Sequence, residues 1–247
     1  MPQDLPRLYL QPEQYQGDRA HLAPEQCHYL YQVLRRREGD RCIVLDGQGQ
    51  AWQARLQGNV AHLEQAIVLA TELPIALTLV VALPKSNGFE EILRCGTELG
   101  VTTFWPVTSD RTLLQPNPKK LLRWRKIVVE AAEQSERAIV PTVQAIRTFS
   151  ALLQDLPEGQ RYLCVARGDR PLLLSRLIPP APLGKERFEG ITIATGPEGG
   201  WTSGEIEQAI AAGFESVSLG ARVLRAVTAA IAAATVVVTA VEDKSIR

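Results

Sequence analysis

The chain has no excess of charge of either sign, no paired cysteines and no apolar run long enough for a bilayer, and each absence closes off a class of function. Its 27 Lys and Arg balance its 27 Asp and Glu. No global field therefore announces a polyanionic partner, and a nucleic-acid surface would have to be a local basic patch on a neutral body. Cys27, Cys42, Cys95 and Cys164 stand far apart, with no CxxC pair and no histidine at ligand spacing. That pattern reads as the reduced thiols of a cytoplasmic protein, not as a disulfide frame or zinc site, and no metal is expected. The longest apolar run, 227–241, is broken by Thr228, Thr235 and Thr239 and is too short for a membrane span. It reads as a buried helix. The opening MPQDLPRLYL lacks the basic-then-apolar order of a secretory signal.

Composition is otherwise that of a globular protein, with 45% hydrophobic and 22% charged residues. The first seventy-odd residues are β-rich. Segments 41–46 and 51–56 flank Gly47-Gln48-Gly49, the pattern of two short strands joined by a glycine hairpin, and a third alternating stretch follows over 60–69. From Ile75 the pattern becomes strands alternating with helices. Strands are expected at 75–83, 101–107, 162–166, 191–195 and 217–219, and helices at 89–99, 121–138, 149–156, 203–212 and 226–241. Gly100 stands where a left-handed helix cap is wanted. Such alternation implies a mostly parallel α/β sheet covered on both sides, and the boundary between the two parts is placed at 1–73 and 74–247. A proline-rich loop is expected over 179–184.

Two glycine loops near the C-terminus carry the most information. The apolar strand 191–195 runs into Gly196-Pro197-Glu198-Gly199-Gly200, after which Thr202 and Glu205 have capping-box spacing. A helix should therefore start at about Ser203. The second loop, Leu219-Gly220-Ala221-Arg222-Val223-Leu224-Arg225, leads into the alanine-rich last helix. Each loop taken singly is compatible with a tight turn. Two glycine loops at the carboxyl ends of two strands are also where an open α/β sheet binds its ligand. A phosphate cradle is disfavoured, because Glu198 brings an anion and no Lys or Ser/Thr follows in P-loop fashion. A positively charged cofactor is compatible with Glu198. A Rossmann-type enzyme would want its glycines after the first strand of the domain, where 82–88 offers only Gly88.

The GPEGG-W-TSGE run followed by LG-A-RVLR closely resembles the RsmE family, the 16S rRNA uridine-N3 methyltransferases of the SPOUT superfamily. The rest of the chain agrees in order. The segment from His28 to Asp40 is similar to the family's H-L-x-x-V-L-R-x-x-x-G-D, Thr97 to Val101 to its T-E-L-G-V, and Ala132 to Arg137 with Pro141 to its A-x-E-Q-S-x-R…P. The resemblance implies a PUA-like β-barrel that holds RNA, then a SPOUT domain whose C-terminal segment forms a trefoil knot. It further implies S-adenosylmethionine as cofactor, the 16S rRNA of the small ribosomal subunit as substrate and a homodimer as the working form.

Methyl transfer needs an electrophilic sulfonium held in line with a nucleophile, and much of the catalysis is positioning. Uridine N3 keeps its proton at neutral pH, so a carboxylate must take it or positive donors must favour the anionic base. Gly196, Glu198, Gly199, Leu219, Gly220, Val223 and Leu224 are the candidate cofactor pocket. Catalytic candidates are Arg225, Glu98 and Arg137. Arg225 reads equally as an RNA contact or a surface arginine at a helix end. Glu98 sits near a helix C-terminus, unfavourable for an anion without a partner, and implies either an ion pair or a functional pocket. Glu133 and Arg137 stand at i,i+4 spacing, where a pair can form. One departure stands out. After L-R the family has T-E-T, whereas here Ala226-Val227-Thr228 follows Arg225. Val227 cannot take a proton, which opens the alternative of an RNA-binding homologue with impaired catalysis.

Two basic runs, Arg35-Arg36-Arg37 and 118–126 with Trp124 interleaved, read either as solvated surface or as RNA contacts. If the triple arginine contacts phosphate, replacing all three by alanine lowers affinity for small-subunit rRNA and flattens the dependence of log K on log salt by about 2–3. Binding titrations at several salt concentrations measure both, and an unchanged slope removes the assignment.

Overall fold

The computed structural model describes residues 5–113, 117, 119–177 and 190–243. The proline-rich loop expected over 179–184, Pro118 of the second basic run and the first four residues lie outside them. The chain forms two compact units, one of residues 1–72 with 132–140 and one of 73–131 with 141–247.

The first unit is a curled six-stranded sheet. Its strands are β1 (Arg7–Tyr9), β2 (Tyr15–Gln16), β3 (Arg19–His21), β4 (Arg41–Leu45), β5 (Ala51–Gln57) and β6 (Val60–Ile67), in the order β1-β4-β5-β6-β3-β2. All pairings are antiparallel except β1 with β4. Alternation along β4 and β5 sends Cys42, Val44, Ala54 and Leu56 inward, where they meet Leu8, Ala20 and Leu30 in one core. The hairpin expected at 47–49 forms because the Asp46 carboxylate accepts from the amides of Gln48 and Gln50 at 2.7 and 3.0 Å. Between β3 and β4, α1 (Pro24–His28) widens into a π-helical turn over Tyr29–Val33. Arg35 then leaves it with φ +54.

Segment 132–140 packs with this unit through ion pairs and hydrogen bonds. The Arg137 side chain, 2% exposed, donates to Glu72 from Nη2 at 2.6 Å and from Nε at 3.1 Å. The second Glu72 oxygen accepts the amides of Ala138 and Ile139 at 2.9 and 3.2 Å. Tyr9 donates its hydroxyl to the Arg137 carbonyl, and Arg7 pairs with Glu136. Burial of the carboxylate opposes its ionisation, but the Arg137 hydrogen bond and charge with the two amides outweigh it and hold Glu72 below its ordinary value of 4.5.

The second unit is a seven-stranded, wholly parallel sheet. It contains β7 (Ala76–Ala82), β8 (Thr103–Thr108), β9 (Thr142–Val143), β10 (Arg147–Thr148), β11 (Gln160–Cys164), β12 (Gly190–Thr195) and β13 (Glu215–Val217). The order is β10-β8-β7-β12-β11-β13, with β9 also on β8. The helices are α2 (Gly88–Glu98), α3 (Lys120–Gln134, its last turn in the first unit), α4 (Phe149–Leu152), α5 (Leu173–Leu177), α6 (Ser203–Ala211) and α7 (Ala226–Glu242). All six residues of β12 are buried, as a strand covered on both faces requires. One face carries Val80, Ala82, Leu163 and Ala194 against Phe149, Trp201, Ala209 and Phe214. α7 packs on β7 and β12 beside α2 and α5. The apolar run at 227–241 is thus a buried-face helix, and no helix among the described residues is long and apolar enough to cross a membrane.

Several expected boundaries move by two residues or more, β8, β11 and α4 among them, and at two of them the local reason is plain. α3 ends at Gln134 and not at 138, because Glu136 turns the chain at φ +60 and frees Arg137 for Glu72. β13 ends at Val217, two residues early, because the Ser218 hydroxyl accepts from the Gly220 amide at 3.1 Å and closes a turn there.

Glu72→Ala leaves Arg137 buried without its anion and should cost roughly 3–5 kcal/mol of first-unit stability, read by urea unfolding. Because the folded carboxyl titrates below the unfolded one, its contribution is present above about pH 4.5 and is lost as pH falls through the folded value. Glu72→Gln should lack that acid-side slope.

Candidate active site at the carboxyl edge of the sheet

The ends of three neighbouring strands fix the site. Cys164 at the end of β11 is in register with Thr195 at the end of β12 and with Val217 at the end of β13. The segments that follow therefore leave the sheet side by side. They enclose a cavity of about 330 Å³ lined by 164–167, 196–201, 218–220 and 222–224, with Arg111, Ile206, Ala226 and Ala229. All seven loop residues singled out in the sequence, Gly196, Glu198, Gly199, Leu219, Gly220, Val223 and Leu224, line this one space.

Short polar contacts hold the first loop in shape. The Gly200 amide donates to the Pro197 carbonyl at 2.8 Å, making the turn. The Trp201 indole N–H donates to the Cys164 carbonyl at 3.2 Å, and its ring stacks on Phe149 with centroids 4.4 Å apart. α6 opens with the expected capping box: Thr202 Oγ1 accepts from the Glu205 amide and Glu205 Oε2 accepts from the Thr202 amide. Glu205 Oε1 also accepts the Asp110 amide at 2.9 Å. Arg111 Nη1 donates to the Gly199 carbonyl at 2.9 Å, and a Cβ on Gly199 would stand 3.0 Å from Arg111 Cβ. The side chain can lie along the loop only because residue 199 has none.

Glu198 is the single acidic residue of the cavity lining. Its Oε1 accepts the Lys85 amide at 3.0 Å, which ties the loop to the β7–α2 connection. Arg111, Arg167 and Arg222 bring positive charge to the same lining, and Arg167 and Arg222 have no ion-pair partner among the described residues. Burial pushes the Cys164 thiol up to about 12, so that wall is neutral and unreactive. Among the described residues no cluster of His, Cys, Asp and Glu is arranged to hold a metal.

The other candidates disperse. Arg225 is the exposed N-cap of α7, between the lining residues Leu224 and Ala226 but outside the lining itself. Glu98 ends α2, which returns from the carboxyl end of β7, so it stands at the amino edge of the sheet, away from the cavity. It is exposed and forms no ion pair among the described residues, unlike the structural pair expected for it. Arg137 belongs to the first unit, where it pairs with Glu72. Arg35 and Arg37 are exposed on the first unit, Arg36 is half-buried, and the Arg37 amide donates to Asp40. Trp124, a candidate base-stacking ring, is 2% exposed and packs edge-on against Phe89 at 4.6 Å. It is core. Sequence reading missed Arg111, Arg167, Arg222 and the 164–167 wall. The carboxyl-edge rule for open parallel sheets, applied to the strand ending near 164, would have found that wall.

Val227 has a packing partner. Its Cγ2 lies 2.8 Å from where a Cβ on Gly88 would stand, with Pro84 Cγ at 3.1 Å from the same point. The branched side chain fills the space over the first turn of α2.

Fold and cavity together define the class: an open parallel α/β domain that takes a small ligand on glycine loops at its carboxyl edge, joined in one chain to a small β-sheet unit. Comparison with known proteins gives the rest. The RNA methyltransferase domain family matches residues 71–238, and the RNA methyltransferase PUA domain family matches 22–59. The chain is 48% identical to the ribosomal RNA small subunit methyltransferase E of Synechocystis sp. over 90% of its own length and 74% of that protein's. It is 31% identical to the Bacillus subtilis protein of the same name, over 83% and 84%. Its fold superposes with a TM-score of 0.80 on the Neisseria gonorrhoeae protein of that name, solved with S-adenosylmethionine bound, at 33% identity over 93% and 95% of the two chains. The chain belongs to this family of RNA methyltransferases, the ribosomal RNA small subunit methyltransferase E (RsmE) proteins.

Gly88→Ala, which at a helix start would ordinarily be neutral or better, should here destabilise the second unit by about 1–3 kcal/mol through overpacking on Val227. Adding Val227→Ala should recover most of that loss in a double-mutant cycle by urea unfolding. Additive effects would show that the two residues do not meet.

Proposed function

We propose that the chain transfers a methyl group from S-adenosylmethionine to N3 of a uridine in the 16S rRNA of the small ribosomal subunit. The observation that carries this reading is that seven residues from two separate glycine loops line one cavity, in a family with a member solved with S-adenosylmethionine bound. The residues suit that molecule. The volume, about 330 Å³, falls in the range of small-molecule pockets. Leu219, Val223 and Leu224 offer apolar walls for a purine, the loop backbones offer donors and acceptors, and Glu198 brings an anion to the lining that suits a positively charged cofactor. When bound, the cofactor supplies an electrophilic methyl group. The chain's own contribution is to hold that space in one shape, through Trp201, Arg111 and the Thr202–Glu205 capping box.

The first unit supplies the RNA-holding part in this reading, with Arg35 and Arg37 exposed on it and Arg36 half-buried between them, and Arg225 beside the cavity is the candidate contact to the target nucleotide. The same reading includes a cytoplasmic protein, a trefoil knot and a homodimer. Support for the knot is that α7 follows the edge strand β13 yet packs on β7 and β12 in the middle of the sheet. Support for the dimer is the exposed apolar set Leu172, Leu174 and Val223, at 53%, 44% and 66% exposure, near the bridge between Leu172 and Ser218.

Isothermal titration with S-adenosylmethionine should give one site per chain, and incubation with undermethylated small subunits and labelled cofactor should place one methyl group per subunit on a uridine N3. Cofactor binding with no transfer to any rRNA overturns the reaction. No binding overturns the site.

A further inference from the structure

A second space adjoins the cavity. It is an open cleft of about 510 Å³ bounded by Lys85, Asp110, Arg111, Leu113, Glu198 and Gly199, and it shares Arg111, Glu198 and Gly199 with the cavity. A two-substrate transfer needs two spaces that meet where the reacting atoms meet, and the Glu198–Gly199 strip is that meeting place. We propose that the cleft receives the acceptor uracil and that Glu198 takes the proton from its N3, an inference that rests on the methyl-transfer reading above.

The carboxylates around the strip are not equivalent. Glu205 uses both oxygens, Oε1 for the Asp110 amide and Oε2 for the amide and hydroxyl of Thr202. Asp110, whose Oδ2 lies 3.1 Å from Thr202 Oγ1, lines the cleft but not the cavity. Glu198 commits only Oε1, to the Lys85 amide at 3.0 Å, and its Oε2 has no hydrogen bond among the described residues. It is thus an oriented carboxylate with a vacant acceptor, and it is the single acid that borders both spaces. A general base needs that combination of fixed direction and open lone pairs.

The cations divide in the same way. Arg111 spends Nη1 on the carbonyls of Gly199 and Trp201, at 2.9 and 3.5 Å, and so positions the strip. Lys85 is exposed, and its ammonium has no ion pair among the described residues. A uracil losing its N3 proton spreads negative charge over O2 and O4, which a mobile ammonium at the cleft edge can meet. The charged groups that share a space with Glu198 are therefore Lys85, Asp110 and Arg111 in the cleft and Arg111, Arg167 and Arg222 in the cavity. In the step itself the N3–H bond breaks with its proton passing to Glu198. The N3 pair forms the bond to the methyl carbon as the S–CH3 bond breaks, and the sulfur leaves as a neutral thioether.

Glu198→Gln keeps an oxygen for the Lys85 amide and removes the basicity. Its melting temperature should stay at the wild-type value and its affinity for S-adenosylmethionine by calorimetry should weaken only modestly, as one charge in the cavity lining is lost, while kcat on undermethylated subunits at saturating cofactor falls by about 10²–10⁴. The residual rate should climb with pH as solvent hydroxide replaces the carboxylate, a slope that wild type and the partly active Glu198→Asp lack. Lys85→Ala should lower kcat about tenfold, less than the loss of a fixed oxyanion donor because the ammonium is exposed, with cofactor affinity unchanged. Wild-type turnover and pH profile in Glu198→Gln would overturn the proposal. So would a loss confined to cofactor affinity, which would assign Glu198 to the cofactor alone. A Lys85→Ala defect confined to salt-dependent affinity for the subunit would make Lys85 a phosphate contact and remove the cleft from the chemistry. Wild-type protein that binds no S-adenosylmethionine would sink the underlying reading instead.

Discussion

Parallel pairing of β11 with β12 and β13, in register to the last residue, is the constraint from which the site follows. Cys164, Thr195 and Val217 lie on one line across the sheet, so three chain segments far apart in sequence must leave it together and on the same edge. Antiparallel pairing would have sent one of the glycine loops to the opposite edge. Parallel strands need long crossovers between them, and here those crossovers are the helices that cover the sheet. The burial that stabilises the domain and the convergence that makes the cavity therefore have the same cause.

Convergence alone leaves loops soft, and this chain stiffens them with polar contacts from outside the loops. Arg111 lies along the Gly199 carbonyl, Glu205 reaches back to Asp110, Lys85 donates its amide to Glu198, and Trp201 is fastened to Cys164. Each contact comes from the end of another strand of the same sheet, β7, β8 or β11. Shape in the empty site is thus inherited from the sheet edge, which is what preorganisation of a binding site requires.

Much of this was legible in the sequence because it rests on local chemistry. A β-branched apolar run marks β7, an uninterrupted one marks β12, and Thr202 with Glu205 marks the start of α6 to the residue. The glycine loops were legible as a pair, since loop residues and strand ends are adjacent in the chain. What sequence could not give depends on long separations or on fine backbone turns. Glu133 is visible four residues before Arg137, but the pairing of Arg137 with Glu72 spans 65 residues and depends on the left-handed turn at Glu136 that ends α3. The two-residue strands β9 and β10 carry no periodicity to detect. Arg111, Arg167 and Arg222 look like surface arginines until the sheet brings them to one rim. Val227 read as a missing carboxylate. In the fold it is a filled space over Gly88.

The return of residues 132–140 to the first unit has a consequence for how the protein is born. The N-terminal sheet receives its ion pair and its bridge between Gln48 and Ile139 only from chain made long after β6. A nascent first unit emerging from the ribosome must wait, on the order of seconds at ordinary elongation speeds, with Glu72 in solvent and its cognate guanidinium still unsynthesised. Translation order and folding order are therefore uncoupled at this joint: the part made first is finished only after about a third of the second has been made.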